Sequence, residues 1–90
     1  MSQVPAATVR VVDESGTPVA GALVSVAWSN IPYPEISLVT DPSGEVRLPL
    51  SQGRFRIVAH AADGRHGSLE AAIGEEDSRA TWRLVLSRSK

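Results

Sequence analysis

The stretch TDPSGEVRLPLSQGRFRIVAH, residues Thr40–His60, decides the fold. Asp41-Pro42-Ser43-Gly44 is a turn for chemical reasons: the Asp side chain opens it, the pyrrolidine ring fixes φ at the next position, and Gly accepts positive φ at its end. Behind it Val46, Leu48 and Leu50 alternate with Glu45, Arg47 and Pro49. After Ser51-Gln52-Gly53, Phe55, Ile57 and Ala59 alternate with Arg54, Arg56 and Val58. Period two in two successive segments is the spacing of strands with one buried face, so Arg54, Arg56 and His60 are expected to look outward.

The same pattern extends both ways along the chain. Downstream, Asp63-Gly64 reads as a two-residue hairpin turn, which needs positive φ at both positions, and it returns the Arg54–Ala62 strand as His66–Ile73. Leu69, Ala71 and Ile73 face inward there. A helix from Leu69 to Glu76 competes, because Ala and Glu favour it, but the Asp-Gly turn argues for a returning strand. Gly74–Ser78 reads as an acidic loop, and Ala80–Leu86 as a last strand with Trp82, Leu84 and Leu86 inward and Thr81, Arg83 and Val85 outward. Upstream, Thr8–Asp13 forms a first strand with Val9 and Val11 inward, and Glu14–Pro18 is a turn. Leu23–Trp28 forms a second strand with Val24, Val26 and Trp28 on one face. Pro32 and Pro34 then remove ladder donors and make Ser29–Glu35 a loop or irregular edge, after which Ile36–Thr40 resumes an extended segment.

Turn clusters every 8–12 residues between alternating segments are the signature of a sandwich or barrel. The expectation is an all-β, seven-stranded Greek-key β-sandwich, in a single domain over residues 8–86. Residues 1–7 and 87–90 are expected as flexible ends. At 90 residues the chain buries only about 60% of the surface its unfolded form exposes, and it has no cysteine to staple the fold. Nine basic and ten acidic residues, scattered singly for a net charge of -1, give no footprint for nucleic acid. No apolar run reaches the roughly 20 residues of a membrane span, and Met1–Ala7 lacks the features of a secretory signal. The expected location is either the cytoplasm or, if the chain is an excised domain, that of an exported parent.

The order of punctuation carries a resemblance. Gly16-Thr17-Pro18-Val19-Ala20-Gly21-Ala22-Leu23-Val24-Ser25-Val26, then Thr40-Asp41-Pro42-Ser43-Gly44-Glu45-Val46, Leu48-Pro49-Leu50 and Gly53-Arg54-Phe55-Arg56-Ile57-Val58-Ala59 resemble the carboxypeptidase regulatory-like domain, a transthyretin-like (Ig-like) sandwich. They are also similar to B-type repeats of bacterial surface adhesins. These are fold motifs, and the resemblance implies an accessory module whose function lies in contact with something else. The adhesin isopeptide bond is not expected, because the first strand has Arg10 and no Lys, and a guanidinium stays protonated. A transthyretin-like hydrolase is the weakest reading: the chain has no early His, and it ends Ser87-Arg88-Ser89-Lys90 where that family carries Tyr-Arg-Gly-Ser.

No catalytic residue and no cofactor are expected. The candidate binding residues are Trp28, Ile31, Tyr33, Arg54, Arg56 and His60. Trp28, Tyr33 and the proline loop suit a protein partner or a sugar ring, although burial of Trp28 at the sandwich end is the simpler reading. Tyr33 lies between two prolines, where no alternation turns it inward. Arg47, Arg54, Arg56 and Arg83 are expected on one outer face with Glu45 and Glu70, as cross-strand charge pairs in the first instance and as an anion site in the second. His60 and His66 flank Asp63-Gly64; lacking a third convincing ligand, they read as exposed hairpin side chains and not as a metal centre. The prolines at 32, 34 and 49 protect edges, so the domain alone is expected to be a monomer. The function expected is a non-catalytic module for protein contact or spacing, with carbohydrate binding through the 29–35 loop as the alternative.

Overall fold

Seven strands are found in residues 7–30, 37–48, 53–73 and 81–87, the parts of the chain that the computed structural model describes. They are β1 (Ala7–Val12), β2 (Leu23–Ser29), β3 (Ser37–Val39), β4 (Glu45–Leu48), β5 (Gly53–His60), β6 (His66–Ile73) and β7 (Thr81–Val85). One sheet has the order β4-β1-β7 and the other β3-β2-β5-β6, so the protein is an all-β sandwich. β1 runs parallel to β7 and antiparallel to β4, and every pairing in the four-stranded sheet is antiparallel. The segment from Leu69 to Ile73 is strand, not helix.

The alternation places the core. Val9 and Val11 of β1, Val24 of β2, Val46 and Leu48 of β4, Phe55, Ile57 and Ala59 of β5, Ala71 and Ile73 of β6, and Leu84 and Leu86 at the end of the chain are buried between the sheets. Trp82, expected in the core, is partly buried and packed against it, and its Nε1 has no hydrogen-bond partner. Ser87, expected in the tail, is tied to β6: its amide donates to the His66 carbonyl (2.9 Å) and its own carbonyl accepts from the His66 amide (3.0 Å). That bridge joins the margins of the two sheets.

Three connections share one geometry. The amides of Gly16, Gly44 and Gly64 donate to the carbonyls of Asp13, Asp41 and Ala61, and the amides of those three residues donate to the carbonyls of Thr17, Glu45 and Arg65. In the first two, the Asp Oδ1 accepts two further amides, from Ser15 and Thr17 and from Ser43 and Glu45. The Ser15 hydroxyl, followed by the Thr17 amide, holds the Asp13 carboxyl below its ordinary value. The third connection corrects the expected two-residue turn, since its loop is Ala62-Asp63-Gly64 and no described residue other than Gly has positive φ. The left-handed position therefore falls on Gly64, where it costs nothing sterically, and Asp63 instead binds the Arg65 amide and guanidinium (3.1 and 2.8 Å).

Thr40 is the one buried polar residue among those described, and it ties the chain before β2 to the end of β3. Its hydroxyl donates to the Val19 carbonyl (2.7 Å) and accepts from the Ala22 amide (2.9 Å). Thr40→Val keeps the shape and strands both buried backbone groups, so a loss of about 1–3 kcal/mol is expected in urea denaturation, against a near-neutral Thr40→Ser.

Candidate functional site

The outer face of the four-stranded sheet is set by register. Val39, Leu23, His60 and His66 form one row across β3, β2, β5 and β6, and Ser37, Ser25, Val58 and Ser68 form the next. Continuing the alternation would send Trp28 inward with Val24. It does not go there. Val26 pairs with Ile57 and Trp28 with Arg56, so β2 advances two residues while β5 advances one, and Ala27 is a bulge. A bulge inverts the face of everything beyond it. Trp28 is consequently on the solvent side, 52% exposed, in one row with Arg56 and Glu70, which corrects the expectation of a shared face with Val24 and Val26 and of burial at the sandwich end.

Arg56 and Glu70 are directly opposed and paired through Nη2 and Oε2 at 3.0 Å. Both are largely exposed, so the pair orients side chains more than it stabilises the fold. Asn30 fixes the end of β2 on β5: its Oδ1 accepts from the Arg54 backbone amide (2.8 Å) and its own backbone amide donates to the Arg54 carbonyl (3.1 Å). Beside this row is a depression of ≈370 Å³ lined by Trp28, Arg54, Phe55, Glu70, Ala71 and Ala72. Phe55 and Ala71 are its buried members, and an aromatic face, a guanidinium, a carboxylate and the Ala72 methyl are its exposed ones.

Of the candidate binding residues, Trp28, Arg54 and Arg56 thus meet on one face. His60 shares that face but stands four residues along β5 from Arg56, roughly 13 Å away at the rise of a strand. Ile31, Tyr33 and the rest of the proline loop lie outside the described residues. The expected arginine cluster is divided. Arg47 and Arg83 are on β4 and β7 with Glu45, whereas Arg54 and Arg56 are on β5 with Glu70, in the other sheet. Outward residues of the two sheets of a sandwich face opposite sides of the molecule. Glu70 pairs with Arg56 across the strands, whereas the partner of Glu45 is Arg10 of β1 (3.4 Å), outside the expected set.

Val39, 61% exposed beside Leu23, is an outer-face apolar residue that the sequence pattern did not single out. The rings of His60 and His66 have centroids 6.3 Å apart at an interplanar angle of 37°. No group of three or more His, Cys, Asp or Glu among the described residues is arranged to hold a metal ion. No protein-family model and no curated protein matches the sequence.

Proposed function

We propose that this domain is a non-catalytic accessory module of transthyretin-like kind that engages a protein partner or a neighbouring domain through the outer face of its four-stranded sheet. The observation that carries this reading is Trp28, turned to solvent by a bulge and set beside the Arg56–Glu70 pair. A tryptophan on the inner face of a thin sandwich would add core, so one directed outward forgoes burial the fold needs. Trp and Arg are the residue types that dominate binding at the centres of interfaces, and the Arg54 guanidinium with the Glu70 carboxylate supplies a polar rim.

Trp28→Ala is expected to weaken the partner about 30-fold or more, while costing only about 1–2 kcal/mol of stability, because about half of the side chain is already in solvent. Affinity capture from the native source with the wild type and this variant as bait, followed by titration of the captured protein, is the test. A partner held equally by both baits would end the reading. Carbohydrate recognition is the second reading, favoured by an aromatic wall flanked by Arg54 and Glu70 at the depression. A glycan panel that leaves tryptophan fluorescence and amide shifts unchanged would end that one.

A further inference from the structure

We infer that His60 and His66 form a surface chelate for a late first-row divalent cation, Cu²⁺ before Zn²⁺. The hairpin makes them a directly opposed pair. They are also a pair without hydrogen bonds between them: the amide and carbonyl of His66 turn away from β5 to Ser87, and the closing bond of the hairpin is one position nearer the turn, from the Ala61 amide to the Arg65 carbonyl. Opposed residues of that type have their side chains closest together. A two-residue turn would have set His60 opposite Gly67; the three-residue loop aligns the two imidazoles.

Imidazole nitrogens bind such ions at about 2.0–2.1 Å, which sets the two ring centres about 5 Å apart at a tetrahedral angle and about 4.5 Å apart at a square-planar one. Binding requires the observed 6.3 Å to close by rotation of the two side chains, and both residues are exposed. Leu23 and Val39 occupy the rest of the row and bring no donor, while the Asp63 carboxylate is engaged by Arg65. Water must complete the coordination. The site is therefore labile and exchangeable, unlike a resident structural metal, and with two neutral nitrogen ligands it follows the order in which copper(II) exceeds zinc. Because its ligands stand on two strands and are already opposed there, the ion clamps β5 to β6 and binds the folded chain more tightly than the unfolded one, so it raises the melting temperature.

The test titrates the 90-residue chain, the His60→Ala and the His66→Ala variants with CuCl2 and with ZnCl2, reading heat of binding, melting temperature and the copper EPR spectrum. Expected are one Cu²⁺ per wild-type chain with two nitrogen ligands, a rise in melting temperature, weaker uptake of Zn²⁺, and loss of all three effects in either variant. Wild-type affinity retained by either variant, or no copper uptake at millimolar concentration, would overturn the assignment. Both substitutions are at exposed positions, and melting in EDTA establishes that each variant folds.

Discussion

Gly67→Ala is expected to destabilise the domain by about 3 kcal/mol, a loss several times that of Gly21→Ala. Gly67 follows His66, the residue bridged to Ser87, and is thus at the line where the two sheets meet. A Cβ built there collides with the Val85 carbonyl oxygen and comes within 3.0 Å of the Val85 carbonyl carbon and Leu84 Cδ2. The obstacle is backbone held in β7, so relief requires β6 and β7 to move apart, opening the core over Leu84. Gly21 is the converse case. It has φ +77 and nothing within 4 Å of a Cβ, so alanine there meets only left-handed strain, about 1 kcal/mol. A chain of this size has about 5–13 kcal/mol of stability in total, so the Gly67 loss is a large part of it and corresponds to roughly 12–24 °C in melting temperature. Equal urea midpoints for the two variants would show that the sheets do not close on Gly67.

Local chemistry is what a sequence displays best, and here it was enough for the strands. Asp41-Pro42-Ser43-Gly44 fixes its turn through groups at most four residues apart, and the odd-numbered apolar residues of β5 and β6 declare their inner faces without knowledge of any partner. What failed to show depends on residues distant in sequence. Arg47 and Arg54 stand seven residues apart and belong to different sheets, because the chain crosses between layers after β4; nothing in the alternation marks a crossing. The bulge at Ala27 exists only in relation to β5, and with it the exposure of Trp28.

The turn at Asp63-Gly64 is different, since the sequence held the answer. Directly opposed residues share a face, and the inward residues of β5 and β6 are all odd-numbered. A two-residue loop at 63–64 opposes odd with even and would put Phe55 across from Ala72; a loop one residue longer restores agreement and sets Phe55 against Ala71. The same parity rule places Glu70 against Arg56 and His66 against His60, so register makes both the candidate interface and the histidine pair.

Phe55→Ala is the second large effect, about 3–5 kcal/mol. Phe55 is the only phenylalanine in the chain and heads the largest fully buried side chains, in a core otherwise made mainly of Val, Leu, Ile and Ala. Its neighbour across the strand is Ala71, too small to swell into the space a truncation leaves, and Ser29 on the other side is polar. The cavity therefore stays open, and the cost combines lost transfer energy with lost contacts. Phe55→Leu keeps most of the buried surface and is expected to recover more than half of the loss, which separates cavity formation from any special need for an aromatic ring. Phe55 also lines the depression beside Trp28, so a folded Phe55→Ala chain is expected to show altered tryptophan fluorescence as well as a lower denaturation midpoint. If Leu and Ala at this position give the same midpoint, the ring's specific packing, and not the volume it fills, holds β5 in the core.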